Sequence, residues 1–305
     1  MIVQIPGDDR TDSGYIRKTS VRIIRIFAMP QLKPIYVTKS NSLVEACYSL
    51  TLAELRILLA TIAQIDSRPG APPITADTPF SLHANDLAPL FQVETKQAYE
   101  LLRDGVARLS ERWVHIDARS SEYKKSYIKT RWVSAILYVD EAGYLDLYFS
   151  PKVLPFLTSL AREFTRYQIK HVAPMSSVYA IRLYELLKQW VTIGERQLDI
   201  AEIKAMLMIE DAYPSVFELK RRVITPAVQQ INKHSDLKVT LDQRKRGRAI
   251  TALIFKIESK RESQPEREKT PAKPRLTRKY IEQHAYPGES WEDAEARLKR
   301  EQGAR

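Results

Sequence analysis

The chain has one cysteine, nine glycines and five histidines among its 305 residues, and each shortage removes a class of function. A lone Cys47 cannot close an internal disulfide, which suits a reducing compartment. Its setting, VEACYSL, is apolar and helical in pattern, so it reads as a buried structural thiol and not as a nucleophile. With so few glycines, nothing reads GxxxxGK(S/T) or GxGxxG, so no phosphate-cradling loop and no cofactor is expected. His83, His115, His171, His234 and His284 are scattered. No His-x-His pair is present to hold the metal of a rolling-circle nickase, and no Cys/His cluster has zinc spacing. The acids of YVDEAGYLDL read as turn and strand-surface residues. Neither a metal site nor an enzyme is expected. Long hydrophobic runs are missing too: no stretch reaches the roughly 18 uncharged apolar residues of a membrane span. The segment VRIIRIFAMP, broken by Arg22 and Arg25, makes a poor signal peptide, so a cytoplasmic location is expected.

What is present is a soluble composition with a cationic surplus. Hydrophobic residues make up 44%, enough to bury real cores, and the length fits about two domains. The net charge of +11 implies an anionic partner, either nucleic acid or a membrane surface. That charge is local. Residues 215–257 hold ten Lys or Arg against three acids, so this short stretch alone carries +7.

Residues 1–36 lack clear periodicity and read as a loose arm, and order begins near Val37. In TLAE, Thr51 and Glu54 form a capping box ahead of Leu52, Leu55, Leu58, Leu59 and Ile62, an amphipathic helix ended by SRPGAPP. The pattern then gives a short strand (FSL), a helix (HANDLAPLF), the turn QVET and a helix from Lys96 to about Ser110. Two strands follow, WVHIDA and KTRWVSAILYV, and the turn DEAG leads into YLDLYFS, whose alternation is that of a half-buried strand. The second half repeats this order. SSVYAIRLYELLKQW, apolar on most faces, reads as a central buried helix, followed by RQLDI, AEIKAMLMI, a turn at residues 212–214 and a long helix from about Val216 to Lys233. The strands DLKVTLD and RAITALIFKI close it. Helix, strand, helix, turn, helix, hairpin is the order of a winged helix-turn-helix. The expected fold class is therefore α+β, two tandem winged helix-turn-helix domains with a flexible C-terminal tail. The expected divisions are an arm (1–36), two domains (37–166 and 167–258) and a tail (259–305). From Lys260 to about Arg278 the tail is Pro-rich, polar and reads as disordered, and ESWEDAEARLKR could form one isolated helix.

On a helical wheel of the long helix, Leu219, Val223, Ile224, Ala227, Val228 and Ile231 fall on one side. Arg221, Arg222, Thr225, Gln229, Asn232 and Lys233 fall on the other, presenting cationic and amide groups that suit guanine and adenine edges. Lys220 completes the cationic start. Pro226 lies inside the helix and should free the Arg222 carbonyl, kinking or breaking it. The turn RKRGR places Arg244, Lys245, Arg246 and Arg248 at a hairpin tip, with Gly247 permitting the reversal. Clustered cations repel one another unless an anion lies across them, and phosphate contact by a wing supplies one. The bland alternative is a solvated charge run. In the first half the corresponding helix turns Ala98, Leu101, Leu102, Val106 and Leu109 inward and Lys96, Glu100, Arg103, Asp104 and Ala107 outward. That mixed face suits either modest DNA contact through Lys96 and Arg103 or plain solvation.

SNSLVEACYSLTLAELRILLATIAQI, SSVYAIRLYELLKQW, FELKRRVITPAVQQIN and KRGRAITALIFKI together resemble the iteron-binding plasmid replication initiators, the Rep family of RepA and RepE types. The similarity runs from about Val37 to Ile257, and YAIRLYELLKQ is its most specific piece. The resemblance implies two winged-helix domains on repeated origin sites. It implies a C-terminal domain that reads bases through the segment holding Lys220, Arg221 and Arg222. It implies an N-terminal domain that touches the rest of the repeat and forms a dimer interface. Monomers would open the origin, dimers would repress the initiator's own gene, and host initiator and replicative helicase would be partners. Two other classes stay open: a tandem winged-helix transcriptional repressor without origin function, and a nicking enzyme.

Overall fold

The computed structural model describes residues 34–118, 126–260 and 289–303. The expected arm, up to residue 33, and nearly all of the expected linker from Lys260 lie outside them. Lys260 itself is described and is tied down: its ammonium donates to the carbonyls of Asn232 (2.5 Å) and Ser235 (2.9 Å). It thereby satisfies C-terminal carbonyls of a helix, where a cation is favoured.

In the first half, β1 (Tyr36–Ser40) and α1 (Asn41–Glu45) lead to α2 (Leu52–Ile62). The TLAE box is formed as expected: the Glu54 N–H donates to Thr51 Oγ1 at 3.3 Å, and the Thr51 N–H donates to Glu54 Oε2 at 2.7 Å. Strand β2 (Phe80–His83), α3 (Ala84–Phe91) and α4 (Thr95–Leu109) follow. Then come β3 (Trp113–Asp117), β4 (Tyr127–Arg131), β5 (Val133–Val139) and β6 (Tyr144–Phe149). KTRWVSAILYV is thus two strands, not one. Trp132 breaks it: its side chain is buried and meets Tyr48 edge-on at 4.9 Å. The chain thereby leaves the β3–β4 ribbon and enters the antiparallel sheet β2–β6–β5.

Strand β7 (Phe164–Gln168) pairs antiparallel with β1. Hydropathy was silent here because its inward positions, Thr165 and Tyr167, are polar. The expected division at 166/167 falls inside this strand. Helix α5 (Val178–Lys188) is buried along its length from Ala180 to Leu187, as its all-round apolar pattern implies. That run includes Arg182 and Glu185. Arg182 donates to the carbonyls of Val44 (2.9 Å), Ala46 (2.7 Å) and Met206 (3.2 Å) and to the Tyr48 hydroxyl (2.5 Å). Glu185 pairs with Lys39 and accepts from the Tyr167 hydroxyl at 2.6 Å. Burial, with Glu185 beside it, pushes the Tyr167 pKa far up, so the phenol keeps its proton and donates.

The second half continues with β8 (Glu195–Asp199), α6 (Ile200–Leu207), α7 (Val216–Leu219), a π-helical turn (Lys220–Ile224) and α8 (Thr225–His234). Strands β9 (Leu237–Arg246) and β10 (Ala249–Ser259) complete the sheet β8–β10–β9. Both three-stranded sheets place their last strand in the middle, flanked by the strand before the helix pair and by the strand that immediately precedes that last strand in the chain. Pro226 neither breaks the long helix nor sits in its interior register. It occupies the first turn of α8, and the Thr225 N–H donates to the Lys220 carbonyl five residues back. Pro226 has no N–H to give the Arg222 carbonyl, and in a regular α-turn its ring would crowd that carbonyl; the wider turn relieves the crowding. A separate helix, Trp291–Gly303, forms where ESWEDAEARLKR suggested one; the Asp293 N–H donates to Ser290 Oγ at 3.2 Å, and Arg297 bridges to Glu289 at 2.8 Å.

Candidate nucleic-acid interface

Six apolar residues fix how the α7–π–α8 segment lies. Leu219, Val223, Ile224, Ala227, Val228 and Ile231 are all buried, so the opposite side is forced outward. Arg221, Arg222, Thr225, Gln229 and Lys233 are exposed there, as expected. Asn232 is not. Its amide donates to the Val239 carbonyl (2.9 Å) and its oxygen accepts from the Val239 N–H (2.6 Å), locking α8 to β9. A primary amide matches a strand's donor–acceptor pair, and the wheel could not see that partner.

Lys220 is half-buried and its ammonium donates to Gln243 Oε1 at 2.7 Å, joining helix to wing. Arg221 and Arg222 converge on Glu218, at 3.1 and 2.5 Å. Hydrogen bonds from Arg221, then from Arg222, hold the Glu218 carboxyl below its usual range. The pair is thus partly neutralised and held out from the body before any anion arrives.

The wing is longer than its sequence suggested. Strand β9 runs through Arg246, so Arg244, Lys245 and Arg246 are strand residues and only Gly247 and Arg248 make the turn. Gly247 has φ +64°, the left-handed conformation glycine adopts without strain. The strand extends because Arg246 still pairs with Ala249 and Lys245 with Ile250. Alternation then sorts the cations. Lys245 shares the side of Leu241 and Gln243, toward the helix, whereas Arg244 and Arg246 take the other side, where Arg244 reaches Gln197 Oε1 at 3.5 Å.

In the first half, Ala98, Leu101, Leu102 and Leu109 of α4 are buried as expected, and Val106 is half-buried. Gly105, which the pattern did not single out, is also buried: a Cβ there would meet Ile57 Cδ1 at 2.3 Å, so any larger residue requires the Ile57 side chain to move. Lys96, Glu100, Arg103 and Asp104 face solvent, and Arg103 lies 3.7 Å from Asp104. The β5–β6 tip carries Asp140 and Glu141, both exposed, the reverse of the basic tip in the second half. On the β3–β4 ribbon, Trp113 lies under the Lys129 ammonium (5.1 Å to the ring) and the Arg131 guanidinium (4.8 Å), a basic–aromatic surface that hydropathy alone did not flag. Among the described residues no group of three or more His, Cys, Asp or Glu could hold a metal, and no helix is long and apolar enough to cross a membrane.

Two winged-helix units, a buried linking helix and a cationic helix–wing pair define a class of tandem winged-helix protein. Residues 36–188 match the family described as "Initiator Replication protein, WH1", and residues 199–257 match "Initiator Rep protein, WH2". The chain belongs to this replication initiator family. It is 28% identical over 236 residues to the "Replication initiation protein" of Escherichia coli, covering 76% of this chain and 72% of that one. It is 25% identical over 248 residues to the "PI protein" of Escherichia coli, covering 71% and 80%. The fold is similar to that of the Pi initiator protein solved in complex with iteron DNA, with a TM-score of 0.61 and 24% identity over 74% of this chain and 97% of that one. The resemblance read from the four sequence segments is thereby borne out.

Proposed function

We propose that the chain initiates plasmid replication by binding direct repeats, iterons, at an origin as duplex DNA. The observation that carries this reading is the second half's outward face, where the exposed Arg221, Arg222, Thr225, Gln229 and Lys233 stand beside a wing bearing Arg244, Lys245, Arg246 and Arg248. A helix of that chemistry suits base edges in the major groove, and a basic hairpin suits the flanking phosphates. In this reading residues 167–258 are the main reader of the repeat. Residues 37–166 touch its remainder through Lys96 and Arg103 and mediate self-association. The exposed Leu137 (54%) and Val139 (41%) on β5, an edge strand, support the latter, because an apolar edge is a template for pairing with another chain. Monomers open the origin with host initiator and helicase, and dimers repress the chain's own gene.

Footprinting the full-length protein on DNA flanking its own gene tests the reading. Protection of a row of direct repeats, each about two helical turns long, is the expected result. A single protected operator would make the chain a repressor without origin function.

A further inference from the structure

Phe217 is the most exposed large hydrophobic side chain among the described residues, at 68%. It lies in the first turn of α7, where Ser215 Oγ accepts its backbone N–H at 3.1 Å and fixes the start of the helix. Phe217, Arg221, Thr225 and Gln229 are four apart and all exposed. Residues four apart drift around a regular α-helix of 3.6 residues per turn. The wider turn at Lys220–Ile224 reduces that drift, so the four form one stripe.

Leaving a phenyl ring in water forgoes burial free energy that any apolar partner would return. Its neighbours narrow the choice of partner. Lys220, Arg221 and Arg222 follow it within five residues, and a partner drawn to those cations is a polyanion. On the major-groove edges of duplex DNA, the apolar group available to such a ring is the thymine C5-methyl. A recognition helix contacts bases with its N-terminal residues, which is where Phe217 stands.

We propose that Phe217 is a specificity-determining residue that packs on the C5-methyl of a thymine in the bound site. This rests on the reading of the second half as a duplex-DNA binder. It adds an apolar discriminator to a face whose other members hydrogen-bond or carry charge.

The test uses the full-length chain and a duplex that it enriches from a random-sequence pool. Each thymine is replaced in turn by deoxyuridine, which lacks only the methyl group. Wild type should lose about fourfold in affinity at one position, the value of burying one methyl-sized group. Phe217→Ala should bind the thymine and deoxyuridine duplexes equally at that position. Phe217→Leu, still apolar, should keep part of the discrimination. Wild-type indifference to every replacement would overturn the proposal, as would full methyl sensitivity persisting in Phe217→Ala. If no duplex is enriched at all, the DNA-binding reading fails and takes this proposal with it.

Discussion

The two halves share an order of helices and the same placing of the last strand in the middle of the sheet, yet their outward chemistry is opposite. Helix α4 balances Lys96 and Arg103 against Glu100 and Asp104, and its wing ends in Asp140 and Glu141. The matching helix in the second half sets Arg221 and Arg222 against one acid, Glu218, and its wing ends in Arg246, Gly247 and Arg248. Burial constrains only the inward stripe, so the outward stripe of each copy is free to take a different partner. Fold is the shared property here, and function lies in the charges grafted onto it.

The comparison is bounded by how far the halves are independent. Lys39 of β1, Tyr167 of β7 and Arg182 and Glu185 of α5 make one buried cluster, with two cations on a single carboxylate. Glu185→Leu should therefore cost about 3–5 kcal/mol in denaturant unfolding, since removing one partner of a buried pair strands the others. Pairing it with Lys39→Met should recover part of that loss. A cost below about 1 kcal/mol would mean that the halves are joined by shape alone. The same cluster implies that a fragment starting at Tyr167 loses the Lys39 ammonium and the Val44 and Ala46 carbonyls that Arg182 uses. Such a fragment should be markedly less stable than the whole.

A smaller effect separates the two helices. Arg222→Ala should weaken binding to the preferred duplex by about 1–3 kcal/mol and to scrambled DNA much less. Arg103→Ala, already beside Asp104, should cost clearly less on the same duplex. Equal losses, measured by titration at fixed salt, would break the contrast between α4 and the α7–π–α8 segment.

Smaller still is a proton linkage at Glu218. In the free protein Arg221 and Arg222 hold its pKa low. If both arginines turn to DNA, the carboxyl loses those bonds, its pKa rises, and binding takes up a proton. Affinity should then increase as pH falls toward the ordinary carboxyl range, the sign expected when the bound state holds more protons. Glu218→Gln should remove that increase. An affinity unchanged by acidification would show that the arginines stay with Glu218 in the complex.

Most of the fold was legible from apolar spacing. The six inward residues of the long helix, the Thr51–Glu54 box and the buried α5 all follow from it. What was not legible depended on partners distant in sequence. Asn232 looks outward on a wheel until Val239 is placed beside it. Strand β7 hides because its inward residues are polar, and Trp132 breaks a strand by turning into a core that the sequence alone does not locate. The π-turn that accommodates Pro226 required a third choice besides kink and break. Among the candidate contacts, the cations are identifiable by charge, whereas Phe217, an apolar residue among cations, carries no polar signal.

The salt dependence of binding separates the halves with one observable. For wild type, log Kobs should fall steeply with log salt as counterions leave the DNA, by about 0.9 per phosphate contact. Lys245→Gln should lower that slope by about one, and neutralising Arg244, Lys245, Arg246 and Arg248 together should lower it by up to about three or four. Neutralising Lys96 and Arg103 should change it by less than about one. A flat wild-type response, or a larger change from the α4 pair than from the wing, would contradict the assignment of the main DNA contact to the second half.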